Sequence, residues 1–337
     1  MGEIFMFAFN AIMPILLLVA LGYVLKCTKF ASDSFFKTAN SMVFRVFLPI
    51  LLFYNVYEIK SLSDVKWDIV LFCAVCVLVI AAVGLIAAKL FAKGGDKIGV
   101  ITQCAFRSNH AIIGIPLAES LGGTSAVAFA SIISAAAIPL FNTLAVIVLS
   151  YYGDKDKKPS VRETLKRTAK NPLIIGVACG LAVLAVRMFI PVDADGMLRF
   201  SLENNCPFIF KAVVNASKVA SPLALVVLGA RFDFSAIKSL FKEISLGVFL
   251  RLIVSPLIGI GLAFVMTKYF GIIDVTPNEY PALVSLFGSP VAVSSAVMVG
   301  EIGGDDQLAA QLVIWTSVLS MFSLFLTVFI LKSCCLL

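Results

Sequence analysis

Long runs of apolar residues, each close to 20 residues, alternate with short polar breaks along the whole chain. Such runs predict helices that cross a membrane, because about 20 helical residues span the hydrocarbon layer. A closed barrel needs apolar and polar residues in alternation, which the runs do not show. The pattern predicts ten spans, at approximately 4–25, 38–58, 68–92, 98–120, 124–151, 171–191, 206–230, 243–268, 280–301 and 306–332.

The composition agrees with a membrane protein. Hydrophobic residues make up 60% of the 337 residues and charged residues only 14%, whereas about 25% of a soluble domain is charged. The net charge of +7 is interpreted as the excess of Lys and Arg in cytoplasmic loops, not as a nucleic-acid surface. We therefore expect a multi-pass protein of the cell membrane. Its expected partner is the lipid bilayer, and binding to nucleic acid is not expected.

The most hydrophilic connection, 152–170, is rich in Lys and Arg and is predicted to be cytoplasmic. It divides the chain into two sets of five spans, 1–151 and 171–337, and places both termini outside. An odd number of spans in each half means that two related halves face opposite ways. The two halves do look related, so we expect inverted repeats.

Proline recurs at matching places in the two halves. Gly114-Ile115-Pro116 in the fourth span matches Gly288-Ser289-Pro290 in the ninth, and Pro49 in the second matches Pro222 in the seventh. A proline inside a helix removes an amide donor and clashes with a carbonyl. The fourth and ninth helices are therefore predicted to break at Pro116 and Pro290, with half-helix ends that attract an anion near the middle of the bilayer. The alternative is a simple kink, the interpretation given to Pro14, Pro139, Pro172 and Pro256.

Polar side chains crowd into the fourth span before its proline. Arg107 is permanently charged and can hold a carboxylate through two hydrogen bonds, or it can extend to the cytoplasmic interface. His110 and Glu119 are candidate proton carriers and Gln103 a polar partner, although a packing role for His110 stays open. His110 is the only histidine and the cysteines lack zinc spacing, so no metal or other cofactor is predicted. The spans also lack paired catalytic carboxylates, so an enzyme is not expected.

Two segments carry a resemblance to a known family. Phe106 to Leu117 reads FRSNHAIIGIPL, in which the proline of Gly-x-Pro-Leu follows Asn109 by seven residues. Ser289-Pro290 is followed by Gly303, Asp305 and then Leu308-Ala309-Ala310. Over its whole length the chain resembles the auxin efflux carrier family, which contains plant PIN transporters and bacterial permeases for malate and similar acids.

The resemblance implies an all-α fold of ten transmembrane helices in two inverted five-helix repeats. It implies a scaffold of helices one, two, six and seven, and a transport domain of the other six that moves like an elevator in a homodimer. Helices four and nine would cross at Pro116 and Pro290, and Asn109 would bind the substrate carboxylate. The chain departs from the plant pattern at Arg107, which suits a smaller or more highly charged acid.

The sequence thus predicts a secondary transporter of a small organic anion such as malate. A membrane-embedded receptor of the same fold is the alternative, with a channel less suited to packed proline crossings. The coupling ion, a proton or sodium, stays open, as does the direction of transport. The predicted substrate-binding residues are Arg107, Asn109, Gly114, Pro116, Gly288, Ser289 and Pro290.

Overall fold

The structure is a computed structural model that describes residues 2–58, 67–153, 162, 166, 169–187, 189–190, 200–231, 236–334 and 336–337. Regular structure in these residues is helical, apart from one isolated β-bridge. The predicted cytoplasmic loop at 152–170 lies mostly outside the described residues. The α-helices are α1 Gly2–Cys27, α2 Asp33–Met42, α3 Leu48–Tyr57, α4 Trp67–Phe91, α5 Gly95–Phe106, α6 Ile115–Tyr152, α7 Pro172–Arg187, α8 Leu202–Asn205, α9 Pro207–Arg231, α10 Ala236–Phe249, α11 Leu262–Val265, α12 Tyr280–Phe287, α13 Ser294–Ile302 and α14 Asp306–Ser333.

The predicted all-helical membrane fold is confirmed by the helices of the described residues. Two apolar helical stretches are Leu16–Cys27, which is the C-terminal part of the 26-residue α1, and Pro172–Arg187. The predicted spans at 98–120 and 280–301 each consist of shorter helical pieces. Within the described residues, six helices are long and apolar enough to cross a membrane: Asp33–Tyr57, Trp67–Phe91, Ser125–Tyr152, Pro207–Arg231, Ile237–Phe270 and Asp306–Ser333.

Three prolines follow a wider, π-helical turn. The turn is Val43–Phe47 before Pro49, His110–Gly114 before Pro116 and Leu250–Val254 before Pro256. In each case the residue just before the proline donates its amide to the carbonyl five residues back, as Ile115 does to His110. The extra residue in the turn lets the helix absorb the missing donor and continue.

The predicted break at Pro116 is therefore wrong in position. The backbone is helical from His110 through Pro116, and the helix is interrupted earlier, at residues 107–109. At Pro290 the chain lies between two helices, because α12 ends at Phe287 and α13 begins at Ser294. A wide turn precedes Pro116, whereas Pro290 follows a helix that has already ended.

Gly123 lies in α6 between the end of the predicted span 98–120 and the start of the predicted span 124–151. Its φ of +66° and ψ of −156° interrupt the helical backbone, and this left-handed region favours glycine because a side chain is strained there. The helix therefore changes direction near the predicted boundary between 98–120 and 124–151.

The helix contacts fall into two groups, which are joined by the packing of α1 on α14. In the first, α1 packs along α9 and α3 packs on both α7 and α9. Gly22 and Gly229 allow the close approach of α1 to α9, because a side chain at either position would collide with the carbonyl group of Val226 or Val19. In the second group, α5 packs on α4, α6 and α10, while α12 packs on α6 and α14 on α10.

Candidate functional site

The two interrupted helices meet at their breaks. The extended backbone of Ser108 pairs with that of Val291 in an antiparallel bridge. The amide of Asn109 donates to the Pro290 carbonyl at 2.8 Å, and the amide of Ala292 donates to the Arg107 carbonyl at 3.1 Å. Non-helical backbone inside a membrane needs such internal partners, because lipid supplies none. The bridge therefore stabilises both interruptions at once.

Two helix N-termini start beside this bridge. One begins at His110 and the other at Ser294. The first amides of a helix have no acceptor within it, and the N-terminus carries about half an elementary positive charge. Both helix starts therefore favour a negative group at the crossing.

Arg251 binds the opposite, C-terminal ends of the broken helices. Its Nε donates to the Ser289 carbonyl at 2.8 Å and its Nη1 to the Ala105 carbonyl at 3.2 Å. Its Nη2 lies 3.1 Å from the Leu286 carbonyl and 3.0 Å from that of Phe287. The side chain thus satisfies carbonyls from both interrupted helices.

A cavity of about 70 Å³ adjoins the crossing. A water needs roughly 10–15 Å³ by the same measure, so the cavity has room for several waters or a small acid. Its apolar walls come from α3, α6 and α9, including Leu52, Phe141 and Ala224. The polar residues that line it are Asn55, Arg107, Ser108, Asn109, His110, Asn142, Ser221 and Ser294.

Arg107 places its charge at this cavity. Only 4% of the residue is exposed. Its Nη2 donates to Asn142 Oδ1 at 2.8 Å and to Ser294 Oγ at 2.9 Å, and its Nη1 contacts Met298 Sδ. Within the described part of the chain, no carboxylate forms an ion pair with Arg107. The partners are neutral, so the described residues supply no counter-charge to Arg107.

Asn109 and Ser108 complete the polar wall. Both residues are buried and line the cavity. The Asn109 side-chain amide and the Ser108 hydroxyl have no hydrogen-bond partner among the described residues. A buried donor without a partner costs about 1–3 kcal/mol, so these groups are suited to bind a ligand oxygen.

The candidate proton carriers lie in different surroundings. His110 Nε2 is 3.1 Å from the Ala130 carbonyl and Nδ1 is 3.1 Å from Ser285 Oγ, so both ring nitrogens have partners within the protein. Glu119 is exposed and does not line the cavity. Gln103 is buried beside Met298, with its Nε2 3.7 Å from the sulfur, and also lies outside the cavity wall.

The predicted residues of the glycine and proline motifs form main-chain and packing contacts at the crossing. Pro290 accepts the Asn109 amide, and the Ser289 hydroxyl donates to the Ser285 carbonyl at 2.7 Å. Gly114 lies where the turn after Asn109 packs on α12, and Gly288 forms the end of that helix. None of these four residues lines the cavity.

Sequence reasoning missed three residues around Arg107, namely Asn142, Ser294 and Met298. Asn142 had a visible signal, since it is an amide inside a long apolar run. Ser294 and Met298 had none, because serine and methionine are ordinary residues in membrane helices. The structure brings all three to the guanidinium of Arg107.

The crossing of two interrupted helices in an apolar chain is a known arrangement of transporter sites. A profile of the membrane transport protein family, also called the auxin efflux carrier family, matches residues 7–328. The chain belongs to this family. The predicted family resemblance is thereby confirmed, and it makes the protein a multi-pass membrane transporter.

A similar sequence from another organism supports the assignment to the auxin efflux carrier family. An uncharacterized transporter of Methanothermobacter thermautotrophicus is 24% identical over 324 residues. The aligned region covers 95% of this chain and 97% of the relative. The similarity therefore extends through both interrupted helices and the cavity between them.

Proposed function

We propose that the protein is a carrier of a small organic anion, such as malate or a related carboxylate, which binds in the cavity at the crossing. The observation that carries the proposal is the buried guanidinium of Arg107, which has no carboxylate partner in the described residues. Arg is permanently charged, and an unpaired buried charge is costly. A bound anion supplies the missing counter-charge.

The surroundings of Arg107 add to this preference. The two helix N-termini at His110 and Ser294 together contribute about one further positive charge. The free donors of Ser108 and Asn109 lie on the same wall. In the proposed complex, Arg107 pairs with a carboxylate while Asn109 donates a hydrogen bond to it.

The finer architecture belongs to the same proposal. We propose ten transmembrane helices in two inverted repeats, with α1, α2–α3, α7 and α9 as a scaffold and the other helices as a transport domain. The packing of α1 on α9 and of α3 on α7 supports this division. The bridge between Ser108 and Val291 supports a domain that moves as one body, in an elevator-like change of access. The cytoplasmic placement of 152–170, external termini and a homodimer remain predictions.

Asn109→Ala tests the assigned site. In liposomes that contain the purified wild-type protein, we expect saturable uptake or counterflow of a labelled dicarboxylate. The variant should lower this transport at least about tenfold, because one hydrogen bond to a charged group contributes about 1.5–3 kcal/mol. Asn215→Ala is the matched control, since Asn215 is exposed on α9. Normal uptake by Asn109→Ala would refute the role of Asn109, and binding without counterflow would favour a receptor.

Polar contacts also connect the two proposed domains. Glu301 on α13 accepts hydrogen bonds from Ser41 at 2.6 Å and from Asn40 at 3.1 Å, both on α2. Arg231 on α9 lies 3.4 Å from Asp306 on α14. A shift of one domain past the other would have to break these contacts, so they stabilise the state described here.

Glu301→Ala should lower the stability of this state. The substitution removes the carboxylate that accepts from Ser41 and Asn40, although Asn40 Nδ2 keeps the Val297 carbonyl at 3.4 Å. A hydrogen bond to a charged group contributes about 1.5–3 kcal/mol. We expect a fall of several degrees in the melting temperature of the ligand-free protein in detergent. Glu119→Ala, at an exposed carboxylate, should leave the melting temperature unchanged. Equal melting temperatures for both variants would show that the contacts with Glu301 do not stabilise the state.

A further inference from the structure

A cluster of backbone carbonyls lies at the C-terminal ends of the two interrupted helices, α5 and α12. It consists of the carbonyls of Ala105, Leu286, Phe287 and Ser289. Carbonyl oxygens at helix C-termini carry negative partial charge and lack donors within the helix. Such a cluster therefore needs a cation or several hydrogen-bond donors.

In transporters with broken helices, a coupling ion commonly meets this need. Unwound carbonyls and half-helix C-terminal ends coordinate Na⁺ there, because oxygen ligands suit hard cations. The crossing in this protein presents the same kind of ligands, drawn from both interrupted helices.

Here the guanidinium of Arg251 binds the cluster. All four carbonyls accept hydrogen bonds from it at 2.8 to 3.2 Å, and only 1% of the residue is exposed. In the described residues, no carboxylate forms an ion pair with Arg251. Two helix C-termini supply about one negative charge in total. This matches the single charge of the side chain.

The remaining acceptors of α12 are satisfied by neutral groups. The Val284 carbonyl accepts the Gly288 amide, and the Ser285 carbonyl accepts the Ser289 hydroxyl. The Ser255 hydroxyl adds a bond of 3.2 Å to the Phe287 carbonyl. The last four carbonyls of α12 thus all accept hydrogen bonds from the protein itself.

We propose that Arg251 is a tethered cation that takes the place of a coupling metal ion at the crossing, so that the carrier works without sodium. The inference rests on the proposed function, because it concerns how that transport is driven. Since the charge is covalently attached to the π-helical turn Leu250–Val254, which continues α10, it moves with the crossing and is never released. Substrate binding therefore needs no prior binding of sodium.

The wild-type protein gives the first test. Liposomes that contain the purified protein are loaded with labelled malate, and counterflow is measured in sodium chloride and in choline chloride at equal ionic strength. Equal saturable rates support the proposal. A rate at least tenfold higher in sodium overturns it while leaving the proposed function intact. No saturable counterflow of malate or other small carboxylates in either salt overturns the proposed function, and this inference with it.

Arg251→Ala gives the second test. We expect loss of counterflow and its partial return in millimolar guanidinium chloride, because free guanidinium can bind the vacated carbonyls. Lys242→Ala, at an exposed position on the same helix, should keep wild-type rates and show no response to guanidinium. A monodisperse Arg251→Ala protein that guanidinium does not restore overturns the tethered-cation role. If the variant does not fold, the comparison of sodium with choline on the wild type decides.

Discussion

Arg107→Met is expected to weaken dicarboxylate binding by at least about 25-fold. Loss of one partner from a buried charge pair costs about 2–5 kcal/mol, and about 1.4 kcal/mol corresponds to a factor of ten. The guanidinium is the only charged group in the described lining of the cavity, so no neighbouring charge can replace it. Isothermal titration of the purified protein with malate measures the change.

The same substitution should not destabilise the ligand-free protein. Arg107 has no carboxylate partner in the described residues. Burial of an unpaired charge is costly, so an apolar side chain at this position removes that cost. Asn142 and Ser294 remain next to the cavity, where water can bind them. Lys89→Met, which removes an exposed charge, is the control for net charge. A large fall in melting temperature with Arg107→Met, or unchanged affinity, would contradict the assigned role.

Gly114→Val is expected to prevent folding of the crossing. A Cβ atom at Gly114 would lie 2.6 Å from the Ser285 carbonyl oxygen and 2.8 Å from His110 Nδ1. The first of these is backbone, so α12 would have to move away from the turn that follows Asn109. Overpacking of this kind costs about 1–3 kcal/mol or more, and the two isopropyl methyl groups of valine add to it. We expect little monodisperse protein after extraction in detergent.

Gly261→Ala is the matched control for that experiment. Gly261 is also a helical glycine in a membrane span, but a Cβ atom there would have no neighbour within 4 Å. Alanine is favoured over glycine in helices by about 1 kcal/mol, so this variant should yield as much protein as wild type. Size-exclusion chromatography of the two variants side by side measures the difference, and an equal yield would show that the contact at Gly114 tolerates a side chain.

The membrane helices could be predicted from the sequence, but the interruptions at the crossing could be predicted only in part. Apolar runs fix helices by their length, and Pro290 falls at a true interruption. The break predicted at Pro116 was wrong in position, because a π-helical turn accommodates the proline and the helix continues through it. The better signal was the neighbouring run of polar residues, Arg107 to His110, which is where the helix breaks.

The electrostatic arrangement was harder to predict. Arg107 and Arg251 both appear in sequence as buried basic residues, yet one lies with helix N-termini at the cavity and the other with helix C-termini behind it. This difference depends on contacts across more than 140 residues of sequence, such as the one between Arg251 and Ala105. Helical periodicity does not report such distant contacts.

The backbone bridge at the crossing also bears on how related carriers diverge. Its two hydrogen bonds join main-chain atoms, of Asn109 with Pro290 and of Ala292 with Arg107. Main-chain groups persist through most substitutions, so the pairing can be inherited while position 107 changes freely. Relatives that carry a neutral residue there should keep the same architecture but prefer ligands of lower charge, which makes one codon a determinant of substrate choice.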